Sequence, residues 1–367
     1  MPSGEITEFG GWRRPPRWVW PVAGVAAVAV LAGVVVAQGG PHHASSSARS
    51  TPHSAWAINT LDGVDALAVG GSMLYVATDD YPADALSAFS RATGQLVRRV
   101  GVPAAPGVLR VGPGGLVWLT FYPGQNGGVG GLWLLSPDLG QRSALSLRAA
   151  RSVGQSDVYP VGPSAALVAA NGLVDVHMPV PGHFGQWAVH RVSALPTDHG
   201  YDDAVEFARL AGRIAVLQNN NTGHYRIVLA GLGRRPAFES GSGVSINSMA
   251  SDGTSLWITT GPLGAAPMST AVIRLNDRLQ VVTPRSISNN PALAFPERVW
   301  ASGNTVVVST SVASKPLVCF RFQNGQAGPI TGIPARLPPG ELAVVGDTIY
   351  AADAGEVVRY RLPAPCR

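Results

Sequence analysis

Lysine is nearly missing from this chain: of its 27 basic residues only Lys315 is a lysine. A Gly-x-x-x-x-Gly-Lys-Ser/Thr phosphate loop is thereby excluded, and the preference for arginine reads as a GC-rich coding bias rather than as chemistry. Charge is sparse as well. Charged residues make up 13% of the chain, the net charge is +5, and Arg98-Arg99 and Arg234-Arg235 are the only close basic pairs beyond the N-terminal region. That is too little for an electrostatic nucleic-acid site. There are two cysteines, Cys319 and Cys366, and no Cys-x-x-Cys, which removes the redox and zinc motifs built on that spacing. Gly-x-Ser-x-Gly and His-Glu-x-x-His are absent too, so neither a hydrolase elbow nor a zinc-protease helix is encoded. Runs with helical period are almost lacking after residue 38. Residues 203–210 come nearest, and the alternation of Val205, Phe207 and Arg209 reads as a strand, with a short helix as the alternative.

What the chain has in abundance is a repeat. An apolar strand, a Gly, Asp-Gly or Ser-Gly turn and a second strand with an apolar triplet recur seven times. The clear copies are 67–76, 109–119, 248–258, 299–308 and 342–351, and weaker copies centre on Leu167 and Ala215. The triplet centres fall at 75, 118, 167, 215, 257, 307 and 350, which are steps of 42 to 50 residues. A period of roughly 40–50 residues with several short strands marks propeller blades. A second landmark, a hairpin turn such as 91–95, 136–141, 276–280 or 323–326, follows most triplets. Gly and Asn tolerate the positive φ that such turns require. Each unit therefore offers four strands. The expected fold is all-β, a seven-bladed β-propeller over 55–367, with six or eight blades as alternatives. The last unit is one strand short, and the unpartnered segment 55–61 is expected to supply its outer strand and close the ring. Tyr75, Trp118, Trp257 and Tyr350 hold the same place in their units, which reads as packing between blades rather than a ligand cage.

Ahead of the repeat, residues 18–37 carry no charge. At 1.5 Å per residue they span about 30 Å, enough to cross a bilayer core. Arg13, Arg14 and Arg17 precede this run and only Arg49 follows closely. That places a tail over 1–17 in the cytoplasm, a transmembrane helix at 18–37, a flexible linker at 38–54 and the propeller outside the cytoplasm. The expectation is a single-pass protein of the cell membrane, holding the lipid bilayer through 18–37. A cleaved signal peptide is the alternative. Cys319 falls on a strand of the sixth unit and Cys366 trails the seventh, its neighbour. Export permits a disulfide between them, with two separate thiols as the alternative.

Segments 70–76, 252–258 and 346–351 resemble the bacterial YVTN/NHL-like and streptogramin-lyase-like β-propeller superfamily, over about residues 55–365. The resemblance implies the fold. It spans binding scaffolds, lyases, lactonases and sensor domains, and no lyase catalytic residue matches by position, so no catalytic or cofactor-binding residue is assigned. One cluster carries metal-ligand chemistry: His177, His183, His190 and His199, with Asp198, Asp202, Asp203 and Glu206 near them in sequence. Their spacing matches no metal motif, and surface or structural histidines explain them as well. Two functions follow. The first is a membrane-anchored extracytoplasmic module, without cofactor, that binds or scaffolds a protein, peptide or envelope glycan. The second is an exported lyase or hydrolase of the streptogramin-lyase-like type, using a divalent metal on His177, His183 and His199.

Overall fold

The computed structural model describes residues 54–367 apart from 60–62, 80–83, 122–130, 147–157, 163–164, 170–172, 178–187, 193–202, 221–222, 231–236, 263–269, 289, 312–315, 334–339 and 354–355. His53–Arg367 form one compact unit. The expected tail, membrane helix at 18–37 and linker up to residue 53 lie outside the described residues. Among the described residues no helix is long and apolar enough to cross a membrane.

Among the described residues the alternating runs form antiparallel strands that group into seven sheets. Sheet 1 consists of Gly63–Gly70, Met73–Asp79, Ala85–Ser90 and Leu96–Gly101. Sheet 2 spans 106–146, sheet 3 spans 158–192, and sheet 4 opens with Asp203–Leu210. The expected strand is thus formed at 203–210, with Phe207 and Leu210 buried on opposite flanks of the sheet. Among the described residues sheet 5 (244–275) has three strands rather than the expected four. Its fourth place holds only a bridge from Leu275 to Val281, because the chain turns at Pro284 into a short helix, Arg285–Ser288. Sheet 6 (296–333) has five strands, its outer edge being shared by 326–327 and 331–333.

The first strand of each sheet touches the first strands of both neighbouring sheets, and that of sheet 7 (342–345) touches that of sheet 1. First strands therefore line the middle of a ring, and each sheet buries its flanks against the next. This is a β-propeller. Approach is close: a Cβ on Gly70 would lie 2.3 Å from Val111 Cγ1 of the next sheet, so only glycine fits there. The aromatic stripe fills the seams between sheets. Tyr75, Trp118 and Trp257 are 0% exposed and Tyr350 is 1% exposed. Trp257 meets Phe320 and Phe322 of sheet 6 edge-on at 5.5 and 5.1 Å between ring centroids, geometry that favours aromatic pairs.

Two devices hold the last sheet. Ser54–Asn59 pairs antiparallel with Glu356–Arg361, with Ala57 opposite Val358 and Asn59 opposite Glu356, so the first strand of the chain completes the last sheet as the sequence suggests. Behind it the C-terminal turn Ala364–Cys366 folds back on sheet 6. There Cys366 is joined to Cys319, with Cα atoms 5.9 Å apart. Thr305 Oγ1 donates to the Cys366 carbonyl at 2.8 Å, and Arg321 donates to the Arg367 carbonyl.

Candidate functional site

Strand direction gives the ring two unlike faces. Each first strand runs to a tight turn and each second strand returns from it. Outside sheets 3 and 4, this turn face is closed by connections of at most six residues. The opposite loop face collects the longer ones, including those between 146 and 158 and between 283 and 296.

At the loop-face end of the first strands the ladder is irregular. Register shifts against the second strand occur between Val64 and Ala66, Pro106 and Leu109, Ala204 and Glu206, Ile246 and Ser248, and Pro296 and Arg298. Such bulges re-aim side chains and cluster beside sites. Hydroxyls of the second strand take up bulge amides: Thr120 Oγ1 accepts from Val108 N at 2.8 Å and Ser309 Oγ from Arg298 N at 3.0 Å.

Polar groups gather at this loop-face end of the first strands. Arg298 Nη1 donates to Glu341 Oε1 at 2.8 Å and to the Gly340 carbonyl at 3.2 Å, bridging sheets 6 and 7. Glu297 Oε1 accepts from Ser311 Oγ at 2.6 Å. Glu206 Oε2 accepts from Met249 N at 2.8 Å, bridging sheets 4 and 5. Ser245 Oγ donates to Asn247 Oδ1 at 2.7 Å. Burial works against the Arg298 charge, but hydrogen-bonded Glu341, with Glu206 and Glu297 behind it, outweighs burial and holds the guanidinium above its ordinary range. Its side chain is 47% exposed, so water reaches it and the pair adds little stability.

Next to this network stands Phe295, at φ 51°. A bulky residue pays for that conformation in steric strain. Leu139 and Leu279 also have positive φ, but they are buried and gain packing in return. Phe295 is 45% exposed, so burial does not offset its strain. An exposed aromatic held in a strained backbone is a feature of binding sites rather than of cores. The mouth of the loop face, built by Phe295, Glu297, Arg298, Ser311 and Glu341, is the candidate site.

The sequence did not single these residues out. Their signal is a polar residue interrupting the apolar run at the start of a first strand, as at Asp65, Asn247 and Glu297-Arg298. Of the metal candidates, His177 ends the third strand of sheet 3, opposite Ala165 and Ala188, at the turn face. His183 and His199 lie outside the described residues. Among the described residues, no three His, Cys, Asp or Glu side chains come together in a group fit for a metal ion.

No protein-family model and no curated protein matches the chain. Solved structures do. The β-propeller domain of Cps50 (Swd1) from Myceliophteria thermophila is 13% identical, at a TM-score of 0.55 over 84% of this chain and 100% of that one. The WD40 domain of Neurospora crassa Pan2 is 10% identical, at 0.56 over 83% and 90%. A chain of a mitotic checkpoint complex is 11% identical, at 0.58 over 91% and 99%. At these identities the likeness is one of fold: the chain is built as a β-propeller.

Proposed function

We propose that this protein is a seven-bladed, membrane-anchored propeller of the bacterial YVTN/NHL-like kind, which binds a protein or peptide partner at its loop face, outside the cytoplasm. Each of the seven sheets is taken as one blade, and residues 18–37 as the single span. The observation that carries the binding role is the strained, exposed Phe295 beside the Arg298–Glu341 pair on the loop face. An aromatic anchor next to a guanidinium is the pattern of an interface hot spot. The uncharged run and the arginines before it support the anchor. The bond between Cys319 and Cys366 supports an oxidising compartment.

The test is photo-crosslinking in intact cells. A photoreactive residue in place of Phe295 is expected to trap a discrete protein partner, and one in place of Thr93, in a turn-face hairpin, is expected not to. Arg298→Ala should reduce the Phe295 crosslink. Equal capture at both positions, or none at Phe295, would refute the loop-face role. Protease added outside spheroplasts should digest the propeller, and its full protection there would refute the placement.

A further inference from the structure

The arginines look scattered along the sequence, but strand direction sorts them. Among the described residues, six of the seven sheets place an exposed arginine at or next to their turn-face end. These are Arg98 in sheet 1, Arg142 in sheet 2, Arg213 in sheet 4, Arg278 in sheet 5, Arg321 in sheet 6 and Arg361 in sheet 7. The acids on this face are fewer, and most are engaged in their own turns. Asp252 accepts from Ser255 N at 2.7 Å and from Trp257 Nε1 at 3.0 Å. Asp138 accepts from Ser136 Oγ at 2.5 Å and from Gly140 N at 3.0 Å. Asp347 pairs with Arg361 at 3.1 Å. Asp277 completes the described set. Among the described residues the loop face has the opposite balance: Asp79, Glu206, Glu297, Glu341 and Glu356 stand there against Arg285 and Arg298.

The chain also enters at the basic face. Ser54 lies opposite Tyr360, near the turn-face end of its sheet, and Asn59 lies opposite Glu356 at the loop-face end. The 53 residues that precede Ser54, with the uncharged run 18–37 among them, therefore join the propeller from the arginine side. We infer that the turn face is a docking surface for the anionic phosphate headgroups of a bilayer, with the loop face turned away. This rests on the anchored reading above. Arginine suits the task because its planar fork takes phosphate oxygens two at a time. The linker from 38 to 53 reaches roughly 22 Å, from 5–6 Å times √n. That lets the face come within the Debye length of about 8 Å, where headgroup charge is felt. Acidic side chains on the opposite face oppose the inverted orientation.

Hydrogen exchange on the full-length chain in nanodiscs tests this. In discs containing phosphatidylglycerol, amides of the turn-face hairpins 91–95 and 276–280 are expected to exchange several-fold more slowly than in pure phosphatidylcholine. Loop-face amides should be unchanged. High salt should erase the difference. Arg213→Gln and Arg278→Gln, both on exposed side chains, should each weaken it about fivefold, with the melting temperature kept as a check on folding. Equal exchange in the two lipids would overturn the inference. So would slowing in phosphatidylcholine discs by soluble polyphosphate alone, which would reassign the face to free polyanions. A chain that never enters the discs would sink the anchored reading instead. Added to phosphatidylglycerol vesicles from outside, it must then still cosediment and be released by salt, or the docking surface falls as well.

Discussion

Breaking the Cys319–Cys366 bond gives the sharpest number to check. The bond closes a loop whose ends are 47 residues apart in sequence. In the chain-entropy account, a loop of that size in the unfolded state is worth about 4 kcal/mol at 25 °C. Both half-cystines are 0% exposed, so each Ala substitution adds a small cavity to that loss. The compact unit runs from His53 to Arg367. Its unfolding entropy, about 2 cal/mol/K per residue, converts 4 kcal/mol into a drop of about 6 °C in Tm. Cys319→Ala and Cys366→Ala should each show nearly the whole effect in calorimetry and urea titration, and the double variant little more, because either change alone removes the bond. A non-reducing peptide map of the parent should recover the two cysteines in one linked fragment. Two small losses that simply add, each under about 1 kcal/mol, would refute the reasoning. They would mean that the tail is held by its hydrogen bonds from Thr305 and Arg321 alone.

Removing residues 54–59 should bare the edge of 356–361 and give aggregates or strand-exchanged dimers in light scattering; an unchanged monomer would count against ring closure by this strand. Trp257→Ala should cost about 3–5 kcal/mol in urea titration. Trp257→Phe should keep most of that while losing the 3.0 Å bond to Asp252. Burial, with the Asp138 carboxylate adding to it, pushes the Tyr75 phenol up to about 12. Because the folded value is the higher one, the stability from neutral Tyr75 is complete below 10 and is lost as pH rises through about 12. Alkaline melting curves of Tyr75→Phe should lack that arm, and a parent phenolate titration completed near pH 10 would contradict it.

The ring was legible because burial on both flanks of a sheet writes itself into sequence. Leu74-Tyr75-Val76 and Leu256-Trp257-Ile258 are apolar at every position, since each side chain meets either its own sheet's neighbour or the next one. Gly-rich turns fixed the spacing between them. The site was less legible, for a geometric reason. A bulge shifts the inward–outward alternation by one residue, so Asn247 or Glu297 looks like an interruption rather than a member of a shared rim. Phe295 reads as one more apolar residue until its backbone angle and exposure are known. The arginines give no pattern along the chain either, because the turn face takes one from a second strand's start in sheet 4 and one from a hairpin in sheet 5. The missing fourth strand of sheet 5 followed from Pro284, whose effect depends on where the preceding turn had already placed the chain.

The pairing of 54–59 with 356–361 also sets an order of assembly. The strand that completes the last sheet is made first, and its partner is made last. At 5–20 residues per second, roughly 300 intervening residues keep them apart for about 15–60 s of synthesis. Until then residues 54–59 have no native hydrogen-bonding mate. The wheel therefore closes only once residues 356–361 have been made, and a nascent chain stalled before residue 356 remains an open arc that chaperones and proteases can engage.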